Sequence, residues 1–180
     1  DIAAARELFE AALKIERAAG CVGAGNTLLG IGLIEYRECN FTAALQRYEE
    51  AQSCFEHANL WLDLGRSFSG QALALRAMGR LQDAITQCVK AIAAFEKAGD
   101  KKEIARNLGN LGVYNEELGD DEAAIKFYKR AEQIAAQIGD SHRLADCLYW
   151  QGKVLFQREA WSDAEKLFKR ANELHSTEKN

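Results

Sequence analysis

The chain repeats itself every 40 residues, and this period constrains the fold more than any single motif does. A shift of 40 aligns apolar residues with apolar ones and small residues with small ones. Two such series are Leu28, Phe68, Leu108, Leu148 and Ala44, Ala84, Ala124, Ala164. A period of about 20 to 50 residues is typical of solenoids, in which one repeat cannot bury a core alone and stacks on its neighbours. Such a scaffold favours binding over catalysis.

The pattern inside one period predicts two helices joined by a turn, and the third period shows it best. Its first half places Ile104 and Leu108 at helical spacing. Gly119 and Asp120 then end the run, because glycine adopts the angles that terminate a helix and aspartate caps the next one. Apolar residues at helical spacing across 124–138 predict the second helix. Each repeat is therefore predicted to be a helix, a tight turn and a helix.

Applied to the whole chain, the pattern predicts nine helices in one domain, 1–180. A lone helix over 1–20 matches the second half of an incomplete repeat. Its apolar positions are Ala4, Leu8, Ala11 and Ile15. Four repeats follow over 22–60, 61–100, 101–140 and 141–180. Turns within pairs are expected near 39–41, 79–81, 119–121 and 159–161, and turns between pairs near 59–62, 99–101 and 139–141. We expect the chain to be a fragment of a larger protein.

Two repeats lack the glycine that the third repeat has at this turn. The first has Cys39-Asn40 there, and we expect Asn40 to take the left-handed conformation, which asparagine tolerates better than most residues. The fourth has Glu159-Ala160.

The order of residues within a repeat resembles the tetratricopeptide repeat, on the evidence of Leu108, Leu111, Gly112, Gly119, Asp120, Ala124, Tyr128 and Ala131. The usual unit is about 34 residues long. The longer unit and the absence of proline make this chain similar to the long repeats of spindle-orientation adaptors, kinesin light chains and some bacterial regulators. The resemblance implies an all-α fold, a right-handed superhelix of antiparallel helix pairs, with the first helix of each pair lining a concave groove.

Composition narrows the class of partner. A net charge of −4 and scattered Lys and Arg give no basic stripe for nucleic acid, and no apolar run is long enough for a membrane span. The five cysteines are odd in number and lack Cys-x-x-Cys spacing, which predicts reduced thiols and a cytoplasmic protein.

No motif predicts catalysis, a cofactor or a metal. The glycine-rich stretch 23–32 lacks the Gly-Lys-Ser/Thr ending of a phosphate loop. His57, His142 and His175 lie far apart in the sequence, so the cysteine three residues from His57 is half a zinc site at best. We expect no enzyme activity.

If the resemblance holds, the groove runs from apolar through basic to aromatic. Its predicted binding residues are Asn26, Leu29, Leu33, Tyr36, Arg66, Ser69, Leu73, Arg76, Arg106, Asn110, Val113, Tyr149 and Lys153, beside Gly109, Glu116, Asp146, Trp150 and Phe156. Arg66, Arg76 and Arg106 could hold carboxylates of a protein or peptide partner. Groove positions 29, 33, 69 and 73 lack the Lys and Asn clamp of the Hsp70 and Hsp90 tail-binding subgroup.

The sequence predicts a protein-interaction module, an adaptor or scaffold. The alternative is a regulatory sensor domain of a signalling ATPase or transcription regulator that binds a small ligand or peptide. Weak self-association through the terminal helices is also expected, because their apolar residues lack covering helices.

Overall fold

The computed structural model describes residues 2–19 and 21–177, and these residues form helices joined by short turns, without strands. Their contacts divide the chain into two compact units, Asp1–Gly99 and Asp100–Asn180. Unit 1 contains α1 (Ile2–Ala19), α2 (Cys21–Arg37), α3 (Phe41–Ala58), α4 (Trp61–Ala77) and α5 (Leu81–Ala98). Unit 2 contains α6 (Lys101–Glu117), α7 (Asp121–Ile138), α8 (Ser141–Gln157) and α9 (Trp161–Thr177).

The predicted helix boundaries are confirmed almost to the residue. The breaks within pairs fall at 38–40, 78–80, 118–120 and 158–160, and those between pairs at 59–60, 99–100 and 139–140. Helices that follow one another within a unit pack together, as such short connections require. The all-α, tetratricopeptide-like fold is therefore confirmed. The single domain and the right-handed superhelix stay predictions.

Aspartate caps three helices of unit 2, as the Gly-Asp turns predict. The carboxylates of Asp100, Asp120 and Asp140 accept hydrogen bonds from the backbone N–H three residues on, at 3.0, 2.9 and 2.9 Å. The expectation for Asn40 is wrong: its φ is −83°, and Cys39 before it takes the left-handed conformation with φ 63°. Cys39 is the repeat equivalent of Gly119, whose φ is 80°. The physical reason is that the left-handed residue ends the first helix, whereas residue 40 begins the next.

Aromatic rings of second helices lie directly on glycines of first helices, and this contact forms the core of each unit. In unit 1 the Tyr48 ring lies between Gly32 and Gly70, and a Cβ added at either glycine would meet it at 2.7 Å. In unit 2 a Cβ on Gly112 would overlap the Tyr128 ring. Only a hydrogen fits beneath the ring, which explains why the repeat keeps a small residue there.

The second repeat changes both partners of this contact. It has Ala72 where the other first helices have glycine and Cys88 where the other second helices have a ring, and both residues are buried. The Cys88 side chain is smaller than an aromatic ring, so the methyl group of Ala72 fits in this contact.

Buried amides join neighbouring repeats at two places. Nε2 of Gln71 on α4 donates to Oε1 of Gln52 on α3 at 2.7 Å. Nε2 of Gln151 on α8 donates to Oε2 of Glu132 on α7 at 2.8 Å. The equivalents of Gln71 and Gln151 in the other two repeats are Ile31 and Leu111, so the polar pair recurs only every second repeat.

The lone helix α1 is one residue out of register with the other second helices. Phe9, not Leu8, lies on a glycine of the next helix, with 2.9 Å from its ring to a Cβ added at Gly30. Leu8 and Ile15 are 73% and 71% exposed, whereas Leu13 is buried. The stripe Ala4, Leu8, Ala11, Ile15 expected to match the repeat core is thus solvent-exposed along its length.

Candidate partner-binding groove

First helices of neighbouring repeats contact each other within both units, α2 with α4 and α6 with α8. Their outward faces therefore form a continuous surface within each unit. The predicted groove residues divide between these two surfaces, eight in unit 1 and five in unit 2.

On α2 of unit 1, two of the four predicted residues face solvent and two pack inward. Asn26 is exposed and Leu33 is 45% exposed. Leu29 and Tyr36 are half-buried and pack against the core cluster of Ala44, Tyr48 and Ala74. Leu33 is thus the apolar side chain that α2 offers to a partner.

On α4 of unit 1, the predicted residues differ more widely in exposure. Arg66 is exposed, and its guanidinium lies 2.9 Å from the Asp63 carboxylate on the same helix. Leu73 and Arg76 are half-buried. Ser69 is only 4% exposed, so it packs between helices and does not line the surface.

The first-helix surface of unit 2 contains a partly open hollow of about 210 Å³ between α6, α7 and α8. Gly109 opens it, because a Cβ added there would meet nothing within 4 Å. The equivalent residues Leu29, Ser69 and Tyr149 all carry side chains. We call this space the Gly109 cavity; its lining includes Arg106, Gly109, Asn110, Val113, Tyr128, Arg143, Asp146, Cys147 and Trp150.

Charged side chains at the Gly109 cavity differ in their pairing. Arg106 lies 2.5 Å from Glu103 of the same helix, whereas Nε of Arg143 lies 3.6 Å from Asp140, the N-cap of α8, and donates no hydrogen bond. Asp146 lies 3.2 Å from Nδ1 of His142. Arg66 and Arg106 therefore share an arrangement, an arginine three residues after a carboxylate, in different units.

A polar chain runs beside the cavity from Tyr128 to Lys153. The Tyr128 hydroxyl donates to Glu116 at 3.1 Å, and Glu116 pairs with the Lys153 ammonium at 2.6 Å. That ammonium also lies 5.0 Å from the centre of the Trp150 ring. Burial and then the Glu116 charge hold the pKa of Tyr128 well above its usual value, so this hydroxyl remains a donor. These contacts hold Lys153 beside Trp150, which lines the cavity.

The predicted aromatic end of the groove separates into two groups. Tyr149 lies 5.4 Å from Trp150 and 5.6 Å from Phe168, between ring centres, and stays half exposed. Phe156 instead pairs with Trp161 at 4.6 Å, away from the Gly109 cavity.

Sequence reasoning missed Tyr128 and Arg143 as cavity residues. Tyr128 lies on a second helix, whereas the predicted groove used first helices alone, and Arg143 lies in the first turn of α8, ahead of the expected groove positions. A signal for the arginine pairs was present, since Asp63 and Glu103 share one repeat position and precede Arg66 and Arg106 by three residues.

The cysteines and histidines depart from expectation at two points. Cys54 is disulfide-bonded, so the prediction of reduced thiols is wrong for that residue. Cys147 is a buried thiol, and burial raises its pKa to about 12, which keeps it protonated. His142 and His175, distant in sequence, meet with ring centres 5.7 Å apart. Across residues 2–19 and 21–177, no three potential ligands are placed to hold a metal ion.

Comparison with known proteins identifies the repeat. The family model of the tetratricopeptide repeat matches residues 63–137. The chain carries tetratricopeptide repeats. A heat shock protein sti1 homolog of Schizosaccharomyces pombe is 31% identical over 137 residues, which is 76% of this chain and 22% of that protein. The chain thus spans about a fifth of that relative's length.

Solved structures agree on the fold of these tetratricopeptide repeats. Aspartyl phosphate phosphatase F from Bacillus subtilis superposes with a TM-score of 0.84 at 15% identity, over 89% of this chain and 42% of that one. A kinesin light chain of Podosopora anserina with nearly identical TPR-like repeats gives 0.77 at 13% identity, over 98% and 88%. In the described part of the chain, no helix is both long and apolar enough to cross a membrane.

Proposed function

We propose that this protein is an adaptor whose first-helix surface in unit 2 binds an extended segment of a protein partner, with one partner side chain in the Gly109 cavity. The observation that carries the proposal is the cavity itself, which exists because α6 has glycine where its siblings have larger residues. Its volume of about 210 Å³ lies below the range of roughly 300–1,000 Å³ for small-molecule sites. That size favours a peptide side chain over the small ligand of a sensor domain.

The chemistry of the cavity rim defines the segment it suits. Val113, Trp150 and the Tyr128 ring supply apolar walls, while the Asn110 amide can bond to a peptide backbone. Arg106 is exposed, so its guanidinium can turn from Glu103 to a partner carboxylate. We therefore assign an apolar side chain followed or preceded by an acidic residue as the preferred ligand.

In unit 1, Leu33, Arg66 and Arg76 form a proposed binding surface of their own, with Asn26 and Leu73 beside them. Leu33 offers an exposed aliphatic contact, and the two arginines lie ten residues apart on α4, about 15 Å along the helix. Like Arg106, they would hold carboxylates of a protein partner. A cytoplasmic location, a non-enzymatic role and the absence of nucleic-acid partners stay predictions.

The test selects peptides from a random phage-displayed library on the wild-type protein and measures their affinities for variants by fluorescence anisotropy. Gly109→Leu places a side chain in the cavity, and its Cβ meets no atom within 4 Å, so we expect at least a tenfold loss of affinity. Gln133→Leu, the same residue type placed on an exposed position of α7, is the matched control and should bind as wild type does. Equal binding to both variants would rule out the cavity as the site.

Electrostatics are tested separately by exchanging the charges of one pair. Glu103→Arg combined with Arg106→Glu keeps an ion pair on α6 but moves the positive charge by three residues. Selected acidic peptides should bind this double variant more weakly, while its helicity by circular dichroism stays unchanged. Unchanged affinity would mean that the carboxylate contact is absent and that only the apolar side chain matters.

A further inference from the structure

Two histidines that lie far apart in the sequence meet at one end of the last helix pair. His142 is in the first turn of α8, and His175 is in the last turn of α9. Helices joined by a short turn run antiparallel, so the start of α8 lies beside the end of α9. The two imidazole rings contact each other edge to face, with ring centres 5.7 Å apart and planes at 79°. Both side chains are exposed to solvent.

A carboxylate orients one of these imidazoles. Oδ2 of Asp146, one turn further along α8, lies 3.2 Å from Nδ1 of His142. A carboxylate beside Nδ1 favours the tautomer in which Nδ1 carries the hydrogen, and this leaves the Nε2 lone pair for another ligand. Histidines that bind metal ions almost always donate their other ring N–H to a carboxylate, a carbonyl or water. His142 therefore has the hydrogen-bonding arrangement of a metal ligand.

The spacing of the two rings suits one shared ion. With Zn–N distances of about 2.0–2.1 Å, two imidazoles on one tetrahedral zinc ion hold their ring centres roughly 5 Å apart. The ring centres of His142 and His175 are close to that separation. The χ2 torsion of histidine is soft, so exposed rings can turn one nitrogen each toward the ion without a backbone change.

The third histidine of the chain lacks this arrangement. Nδ1 of His57 on α3 lies 2.6 Å from the Ser53 carbonyl of its own helix. Cys54, three residues before it, is disulfide-bonded and supplies no thiolate. The other two histidines both belong to unit 2. His57 is therefore an exposed histidine with no second ligand assigned to it, and it serves as a matched control.

We propose that His142 and His175 together bind one divalent transition-metal ion, with Asp146 as the positioning residue of His142. Water completes the coordination, because the part of the chain that the structure describes places no group of three side-chain ligands together. Imidazole suits zinc, nickel and copper, whereas magnesium and calcium prefer oxygen ligands. The negative end of the α9 dipole also favours a cation near His175. The ion joins α8 to α9, so it binds the folded pair preferentially and stabilises it.

The test uses Zn²⁺ and Mg²⁺ as probes of the full chain, which carries no affinity tag and is freed of metal with EDTA before desalting. Every protein carries Cys39→Ser, because the exposed Cys39 thiol would compete for Zn²⁺. Isothermal titration calorimetry at slightly alkaline pH, where imidazole is neutral, measures affinity and stoichiometry. Circular dichroism melts measure stability, at a protein concentration where sedimentation shows a metal-free monomer.

The expected result is a single Zn²⁺ per chain and a higher melting temperature with Zn²⁺ but not with Mg²⁺. His142→Gln and His175→Gln should each lower Zn²⁺ affinity at least tenfold and remove the rise in melting temperature, whereas His57→Gln should keep both. Asp146→Asn should weaken Zn²⁺ binding in the wild-type background. Added to His142→Gln, it should weaken binding no further, because Asp146 acts through His142.

Three results would overturn the proposal. The first is a Zn²⁺ affinity that is equal with and without His175→Gln. The second is equal stabilisation by Mg²⁺ and Zn²⁺, which would mean that carboxylates hold the ion. The third is a Zn²⁺-dependent dimer that either histidine substitution disrupts, since two copies of the chain would then share the ion.

Discussion

At the scale of single residues, the fold depends on how closely a ring approaches a helix backbone. Sequence periodicity predicts that positions 32, 72, 112 and 152 are small because helices cross there. It could not show that the neighbour is an aromatic ring in direct contact with the backbone, as Tyr128 is at Gly112. Nor could it distinguish Gly112 from Gly109, three residues earlier, which faces open space.

These two glycines of α6 give a matched pair of variants. Gly112→Ala forces a methyl into the Tyr128 ring and should lower the free energy of unfolding by about 1–3 kcal/mol. Gly109→Ala meets no atom and should raise it by about 0.5–1 kcal/mol, since alanine favours a helix more than glycine does. Urea denaturation followed by circular dichroism measures both. Similar effects of the two changes would contradict the packing described here.

At the scale of helices, turn chemistry was predictable and helix rotation was not. Gly-Asp pairs mark the turns because one residue must be left-handed and the next must cap. The predicted register of α1 was wrong by one residue because its sequence carries two apolar stripes. These are Ala5-Phe9-Ala12 and Ala4-Leu8-Ala11-Ile15, and periodicity alone cannot show which of them faces α2. Site prediction failed for a related reason: Ser69 occupies a groove position in the repeat but is buried.

The turn of the fourth repeat can be stabilised by substitution. Glu159 has a φ of 61°, which costs a residue with a Cβ, and Ala160 has no side-chain acceptor for α9. Glu159→Gly with Ala160→Asp should restore the turn and raise the free energy of unfolding by about 1 kcal/mol or more. Asp120→Ala, which removes the cap that Ala123 N–H donates to, should lower it by about 0.5–2 kcal/mol. Thermal melts compare the two variants; a destabilised double variant would contradict this account of the turn.

At the scale of the whole chain, each unit has its own core, and Leu8 and Ile15 of α1 are the most exposed large apolar side chains among the residues that the structure describes. The exposed stripe of α1 has spacings of four, three and four residues, which place its four members on one face. Its two large members, Leu8 and Ile15, would each contribute about 1.5–3 kcal/mol if fully buried. The self-association expected from the sequence stays a prediction, and the structure directs it to this stripe.

We expect weak, concentration-dependent association through α1, measured by sedimentation velocity up to several hundred micromolar. Leu8→Gln with Ile15→Gln should give a monomer throughout, because the apolar face is lost. Glu7→Gln with Lys14→Gln, exposed polar positions of the same helix, is the control and should associate as wild type does. A wild-type chain that stays monomeric over the whole range would refute the prediction.

The buried amide pairs have a consequence for how such a chain can change in length during evolution. Loss of one 40-residue repeat, 61–100, would bring Leu111 to the position of Gln71 beside Gln52. The Gln52 Oε1 would then lose the hydrogen bond from Gln71, while its Nε2 still donates to Glu56. Loss of two repeats, 61–140, would bring Gln151 to that position and restore the pair. A change in length by two repeats therefore keeps a hydrogen bond between neighbouring repeats that a change by one repeat removes.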